Sequence, residues 1–243
     1  MVDDWIVPDW PAPSRVRACV TTRGGGRSRG PWDSLNLGDH VGDDPLAVAA
    51  NRERVVQALG LPAPPLWLKQ VHGCDILEAE RAPPGCEADG SVSRTPGKVC
   101  AVMSADCLPV LLCDRGGECV AAVHAGWRGL AAGVIEAAVE RMGVPSSGIL
   151  AWLGPAIGPD RFEVGEEVRA AFLTRDQGAA ENFRPAGSRW LADIYALARA
   201  RLRHCGVEAV YGGAWCTFSD EARFFSYRRD GVTGRMASLI WLT

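Results

Sequence analysis

A chain of 243 residues, 47% of them hydrophobic, is long enough to bury a sizeable core and sits at the upper end of what one α/β domain holds. A net charge of -3 removes any general electrostatic reason to bind nucleic acid or an anionic membrane, so the expected partner is a small uncharged or anionic molecule. No apolar run approaches the roughly 20 residues of a membrane-crossing helix, and the acidic opening MVDDWIVPDW, interrupted by Pro8 and Asp9, lacks the features of an export signal, which predicts a cytoplasmic location.

Along the chain, VRACVTT (16–22) reads as a strand. The glycine- and arginine-rich TRGGGRSRGPW that follows is either a loop whose backbone approaches a ligand or an ordinary surface loop. Asp44 and Pro45 form a helix start, Val48, Val55, Val56 and Leu59 mark one face, and Gly60 ends the helix. The runs LWLKQVHG, CDILEAE, KVCAVMSA, LPVLLCD and CVAAVHA, separated by Gly, Pro and Asp, are predicted strands of one sheet or a pair of sheets.

After His124 the period changes: Ala131, Val134, Ile135, Ala138, Val139 and Met142 recur at helical spacing, so His124 is placed at a strand end. A second block predicts a strand in GILAWLGPAIG, a short helix in GEEVRAAFL, and a helix with Leu191, Ile194, Leu197, Arg201, Leu202 and Cys205 on one stripe, with Gly206 as its C′ residue. The chain closes with AVYGGAWCT, then FFSYRR and RMASLIWL, whose separating DGVTG carries a hairpin-type Asp-Gly step.

Nine cysteines, an odd number without a CxxC pair, read as reduced thiols; Cys100, Cys113 and Cys119 lie in apolar runs and are predicted core. The four histidines are His40, His72, His124 and His204. His204 near a helix C-terminus is accounted for by the helix dipole, and His40 is left unassigned. A catalytic zinc takes three protein ligands, and Cys with two His is an accepted set that His72, Cys107 and His124 would supply. Their separations of 35 and 17 residues match no compact zinc-finger signature, and by spacing alone two hydrogen-bonded histidines and a core thiol are the better account. Cys107 nevertheless lies in a polar break, SADCLP, between two apolar runs, with Asp106 before it and Pro109 after. Arg128 in HAGWRG is either an anion-binding residue at a helix that starts near Gly129 or a solvated charge. P-loop, GxGxxG, GxSxG and HExxH signals are absent.

Taken in order, TTRGGG, SLNLGDHVGDD, KQVHG, EADG, SADCLPVLL, VAAVHAGWRGL, LGPAIGPDRFEVG and FFSYRRDGVTGRMA resemble the YfiH or laccase-domain family from about Thr21 to the C-terminus. The resemblance implies one domain over residues 1–243, with an α/β fold of layered mixed β-sheets flanked by helices, similar to the deamidase domain of cytotoxic necrotizing factor toxins. It also implies zinc ligands at His72, Cys107 and His124, and a purine nucleoside phosphorylase that splits adenosine, inosine, guanosine or methylthioadenosine with phosphate, joined to adenosine deaminase activity. The family's older description is polyphenol oxidase or laccase with bound copper. Four histidines are too few for several imidazole-ligated copper centres, though a single adventitious copper would fit.

By motif position, Arg23 and Arg128 are expected to hold phosphate, with Asn36, Gln70 and Asp106 as hydrogen-bonding or proton-transfer groups. Two alternatives carry different chemistry. One is a cysteine hydrolase acting on an amide such as a cell-wall precursor peptide, with Cys107 as nucleophile and His124 or His72 as base. The other is a binding module without turnover. The preferred nucleoside, the native metal and the oligomeric state are not encoded in any motif.

Overall fold

The computed structural model describes residues 4–243; the first three residues of the acidic opening stretch lie outside them. In chain order the regular elements are β1 (Val16–Val20), α1 (Pro45–Leu59), β2 (Ile76–Glu78), β3 (Gly90–Ser93), β4 (Val99–Ser104), β5 (Leu108–Asp114) and β6 (Val120–Ala125). Then come α2 (Trp127–Ala132), α3 (Val134–Met142), β7 (Ile149–Leu153), β8 (Glu163–Val164), α4 (Glu166–Leu173), β9 (Phe183–Ala186) and β10 (Arg189–Ala192). The last four are α5 (Ile194–His204), β11 (Ala209–Gly212), α6 (Tyr227–Asp230) and β12 (Met236–Leu242).

Period-2 alternation builds the layers. In the six-stranded mixed sheet, ordered β11-β7-β5-β6-β3-β2, Val110, Leu112, Ala121 and Val123 face the helices α3 and α5, where Ile135, Ala138, Leu197 and Leu202 meet them. The intervening Leu111, Cys113, Val120 and Trp152 point the other way, against Cys100, Val102 and Ile240 of the antiparallel sheet β1-β12-β4. That second sheet turns Ala101, Met103, Leu239 and Trp241 outward onto Val55 of α1 and onto Leu35 and Leu37. The result is helices, sheet, sheet, helix: a layered mixed α/β fold in which both sheets are covered on both faces. A third small sheet, β8-β10-β9, packs with α4 at the helical side through Val164, Val168 and Phe172.

The helix α1 follows its sequence signals: the Asp44 side chain accepts from Leu46 N, and Gly60 closes the helix in the left-handed region. Four expectations need correction. LWLKQVHG forms only isolated bridges, Leu66 with Cys100 of β4 and Lys69 with Glu87, so its few pairings are split between two partner segments and no ladder builds up. The helix after His124 is two helices that meet at Gly133 (φ 106°), and the first starts at Trp127, not near Gly129. Leu191 belongs to β10, and α5 begins only after Asp193, whose side chain accepts from Ala196 N. FFSYRR is not a hairpin strand: the Ser226 side chain accepts from Arg229 N and starts the one-turn α6, which the Asp-Gly step ends.

Candidate metal centre

The β5–β6 pairing explains the shorter of the two ligand spacings. Its antiparallel register sets Leu108 opposite Ala125 and Pro109 opposite His124, so Cys107, one residue ahead of β5, lies at the same sheet end as His124. His72 arrives through a different agent, Asp89. This carboxylate immediately precedes β3, whose Gly90 pairs with Val123 of β6. Its Oδ1 accepts from His124 Nδ1 at 2.8 Å and from His72 N at 2.9 Å, and its Oδ2 accepts from Gly73 N and Val71 N at 2.6 and 3.2 Å. The carbonyl of Asp89 also accepts from His124 N at 2.7 Å. One buried residue thus holds the 71–73 loop and orients the His124 ring with Nε2 toward the cluster.

His72, Cys107 and His124 each offer one potential ligand atom, and these all lie within 4.8 Å of one another. Cys107 Sγ is 3.9 Å from His72 Nε2, and the two imidazoles meet edge to face at 4.9 Å between centroids. Gly126 makes the convergence possible: a Cβ there would lie 2.8 Å from the His72 ring and 3.1 Å from Cys107 Sγ. His72 (φ 61°) and Asp106 (φ 89°) both hold the left-handed backbone that non-glycine residues rarely adopt. One is a member of the cluster and the other precedes Cys107, and hydrogen bonds hold both: Asp89 accepts from His72 N, and Thr217, Ser226 and Arg228 donate to Asp106.

Electrostatics set this thiol apart. Burial pushes Cys19, Cys100 and Cys113 up to about 12, whereas at Cys107 burial is outweighed by His124 and His72, which bring it down to about 6. Burial alone would lower His124, but Cys107 and Asp89 raise it above the ordinary imidazole value. Burial alone would raise Asp89, but the hydrogen bond and charge of His124, with the Gly73 and Val71 N–H groups, hold it below the ordinary carboxylate value. A Cys with two His, one imidazole anchored by a carboxylate, is a donor set suited to zinc.

The cluster opens on a cavity with two lobes that share His72, Cys107, Arg128 and Tyr227. The more apolar lobe, about 260 Å³, is walled by Trp127, Ile157, Phe162 and Ile194, with Asp106 and Arg228 also in its lining. The polar lobe, about 410 Å³, is lined by His40, Gln70, Ser104, His124 and Arg235.

Of the residues expected to bind substrate, Arg128 borders both lobes, stacked at 4.4 Å on Trp127. Gln70 lines the polar lobe, but its amide is spent on the Met103 backbone, accepting from N and donating to O, each at 2.7 Å. Arg23 lines neither lobe; its guanidinium donates to the carbonyls of Asp33 and Glu221 and stacks on Phe225. Asn36 is fully buried outside the cavity wall, accepting from Gly38 N and Arg235 N and donating to Gly38 O and Asp43. The motif positions did not point to Asp89, Tyr227 or Arg235. Asp89 lies in the quoted EADG motif, yet nothing local distinguishes it from a solvated acid.

Asp106 meets the apolar lobe, but Thr217 and Ser226 hydroxyls and Arg228 N donate to its two oxygens at 2.6, 3.0 and 2.7 Å. It ties the Cys107 turn to the segment leading into α6. Asp106→Ala leaves three donors unsatisfied, each at roughly 1 to 3 kcal/mol, so a stability loss of about 3 kcal/mol or more is expected in urea denaturation. A variant as stable as the parent with reduced turnover would assign Asp106 to proton transfer instead.

Residues 17–243 match the family described as multi-copper polyphenol oxidoreductase laccase. The chain is 59% identical to a purine nucleoside phosphorylase of Pseudomonas aeruginosa, covering 98% of each chain. It is 57% identical to the purine nucleoside phosphorylase YfiH of Escherichia coli, again over 98% of each. Among solved structures, a Neisseria meningitidis DUF152 protein superposes with a TM-score of 0.96 at 53% identity, covering 99% of both chains. YlmD from Geobacillus stearothermophilus superposes at 0.91 with 31% identity over 100% of this chain and 97% of its own.

Proposed function

This chain belongs to the laccase-like YfiH family, and from that premise we propose that it is a zinc-dependent purine nucleoside phosphorylase with adenosine deaminase activity. The substrates on this reading are adenosine, inosine, guanosine or methylthioadenosine with phosphate, and the products are the base and ribose 1-phosphate. The observation that carries it is the convergence of His72, Cys107 and His124 at the junction of an apolar and a polar lobe. A nucleoside has the same division, a flat apolar base and a hydroxylated sugar, and Trp127 and Phe162 offer aromatic surface to the base.

His72, Cys107 and His124 would hold the zinc, which when bound supplies Lewis acidity for a substrate oxygen and lowers the pKa of water for deamination. The protein's own part is placement. Asp89 fixes the His124 ring, Trp127 and Phe162 orient the base, and Arg128 brings positive charge to where phosphate meets the ribose. The donor set also argues against a laccase: two imidazoles and one thiol converge, where several copper centres need many more nitrogen ligands.

Metal analysis with product analysis tests the proposal. Purified protein should carry stoichiometric zinc, release hypoxanthine from inosine only when phosphate is present, and convert adenosine to inosine without phosphate. Base release that ignores phosphate would end the phosphorylase reading. One observation favours a second reading, a cysteine hydrolase: the Cys107 thiol is drawn down to about 6 and lies 3.9 Å from His72 Nε2.

A further inference from the structure

Arg235, just ahead of β12, reaches the polar lobe beside His72, Cys107 and His124. Its place is set before any ligand arrives. Nη1 donates to the carbonyls of Thr233 and Gly234, both at 3.0 Å, and the guanidinium stacks 5.9 Å over the Tyr227 ring. Its backbone N–H donates to the buried Asn36 Oδ1 at 2.9 Å. Gly38 gives its stem room, since a Cβ at that position would stand 2.8 Å from Arg235 Cγ.

Other buried or partly buried guanidinium groups are satisfied inside the protein: Arg52, Arg201 and Arg229 each face a carboxylate, at 3.2, 3.2 and 2.7 Å, and Arg199 donates to carbonyls through both terminal nitrogens. Among the described residues the Arg235 guanidinium donates only through Nη1 and forms no ion pair. Asp106, which lines the adjoining lobe, already has its oxygens occupied by Thr217, Ser226 and Arg228. Arg128, which lines the same lobe as Arg235, lies on Trp127 with no hydrogen-bond acceptor for its guanidinium among the described residues.

We propose that Arg235 and Arg128 form an oxyanion site on the polar side of the His72–Cys107–His124 cluster, with Arg235 the fixed arm and Arg128 the exposed arm. The ligand class is a compact oxyanion, and its identity as phosphate rests on the phosphorylase reading above. Two guanidinium forks supply planar donors to a tetrahedral anion, and the Thr233, Gly234 and Tyr227 contacts reduce the side-chain freedom lost on binding. Asn36 and Gly38 act through Arg235 as positioning residues, which gives the SLNLG segment a role at the site without touching the ligand.

The test is calorimetric titration of metal-loaded protein with inorganic phosphate, alongside KM for phosphate and for nucleoside. Arg235→Gln should weaken phosphate binding about 10- to 100-fold, the scale of a lost charged hydrogen bond, with metal content and nucleoside KM near the parent values. Arg235→Lys should recover part of the affinity. Gly38→Ala keeps the arginine but displaces its stem, and should weaken phosphate in the same direction. Lys98→Gln, an exposed charge remote from the cavity linings, should leave binding within about two-fold. Unchanged phosphate affinity in folded Arg235→Gln and Gly38→Ala, or no phosphate binding by the parent chain, would overturn the inference. Because binding is read directly, a chain that holds phosphate through Arg235 yet splits no nucleoside would reject the phosphorylase reading and leave this site standing.

Discussion

On the proposed zinc phosphorylase reading, Cys107→Ser is expected to lose both zinc binding and nucleoside cleavage, with the fold otherwise retained. The replacement is nearly the same size, so the β4–β5 turn and the register that brings Leu108 opposite Ala125 should survive. What changes is the donor: a thiolate, already favoured here by His124 and His72, becomes a hydroxyl that is a poor zinc ligand. Loss of an outer hydrogen-bonding partner of a metal site typically costs about 10- to 100-fold in affinity, and loss of a direct ligand should exceed that. Zinc content after gel filtration and phosphate-dependent release of hypoxanthine give the two readouts, and excess zinc should restore part of the turnover. Full zinc occupancy with abolished turnover would reject the ligand assignment. If the parent also works without metal and forms a covalent intermediate that the Ser variant cannot, Cys107 is the nucleophile of a hydrolase.

The three candidate ligands are joined as a set only by the family resemblance, while local signals in the chain mark two of them. Cys107 sits in a polar break between two apolar runs, and His124 at a change from period 2 to helical period; both signals are local, and β5, β6 and α2 follow them. His72 ends LWLKQVHG, a run whose composition predicts a strand, and the structure makes it an irregular loop anchored from outside by Asp89 and by Gln70 on Met103. Anchors of that kind are long-range and leave no periodicity.

Arg23 and Arg235 show the same limit. Both lie in glycine-containing segments that the family resemblance includes, and no property of either segment says which guanidinium enters the cavity. The answer depends on Phe225, which carries Arg23, and on Asn36 and Gly38, which place Arg235. FFSYRR illustrates tertiary and capping effects overriding propensity. Its aromatic residues suit a strand, but Phe224 and Phe225 are fully buried, Ser226 caps α6, and Tyr227 is left 60% exposed at the cavity.

Asp89→Asn should be the most damaging substitution outside the ligands themselves. The carboxylate is 0% exposed and takes four donors at its side chain, from His124, His72, Gly73 and Val71. An amide has one acceptor oxygen and two N–H groups, so whichever way it turns, one pair of these donors faces another donor. If the oxygen stays toward His124 and His72, the Gly73 and Val71 N–H groups are left unpaired and the loop that delivers His72 loosens. In the other orientation the amide N–H meets His124 Nδ1, which forces the ring proton onto Nε2 and blocks the atom that faces the cluster. Breaking a buried charged network by changing one partner typically costs about 3 to 5 kcal/mol. Chemical denaturation should show a loss of that order, and competition with a chelator should show zinc affinity lowered about 10- to 100-fold even where the protein is folded. Asp89→Glu keeps the charge but adds a methylene in a fully buried place, so it should recover less metal affinity than charge alone would predict. Zinc affinity unchanged in folded Asp89→Asn would mean that the His124 ring is set by its backbone position in β6 and not by this carboxylate.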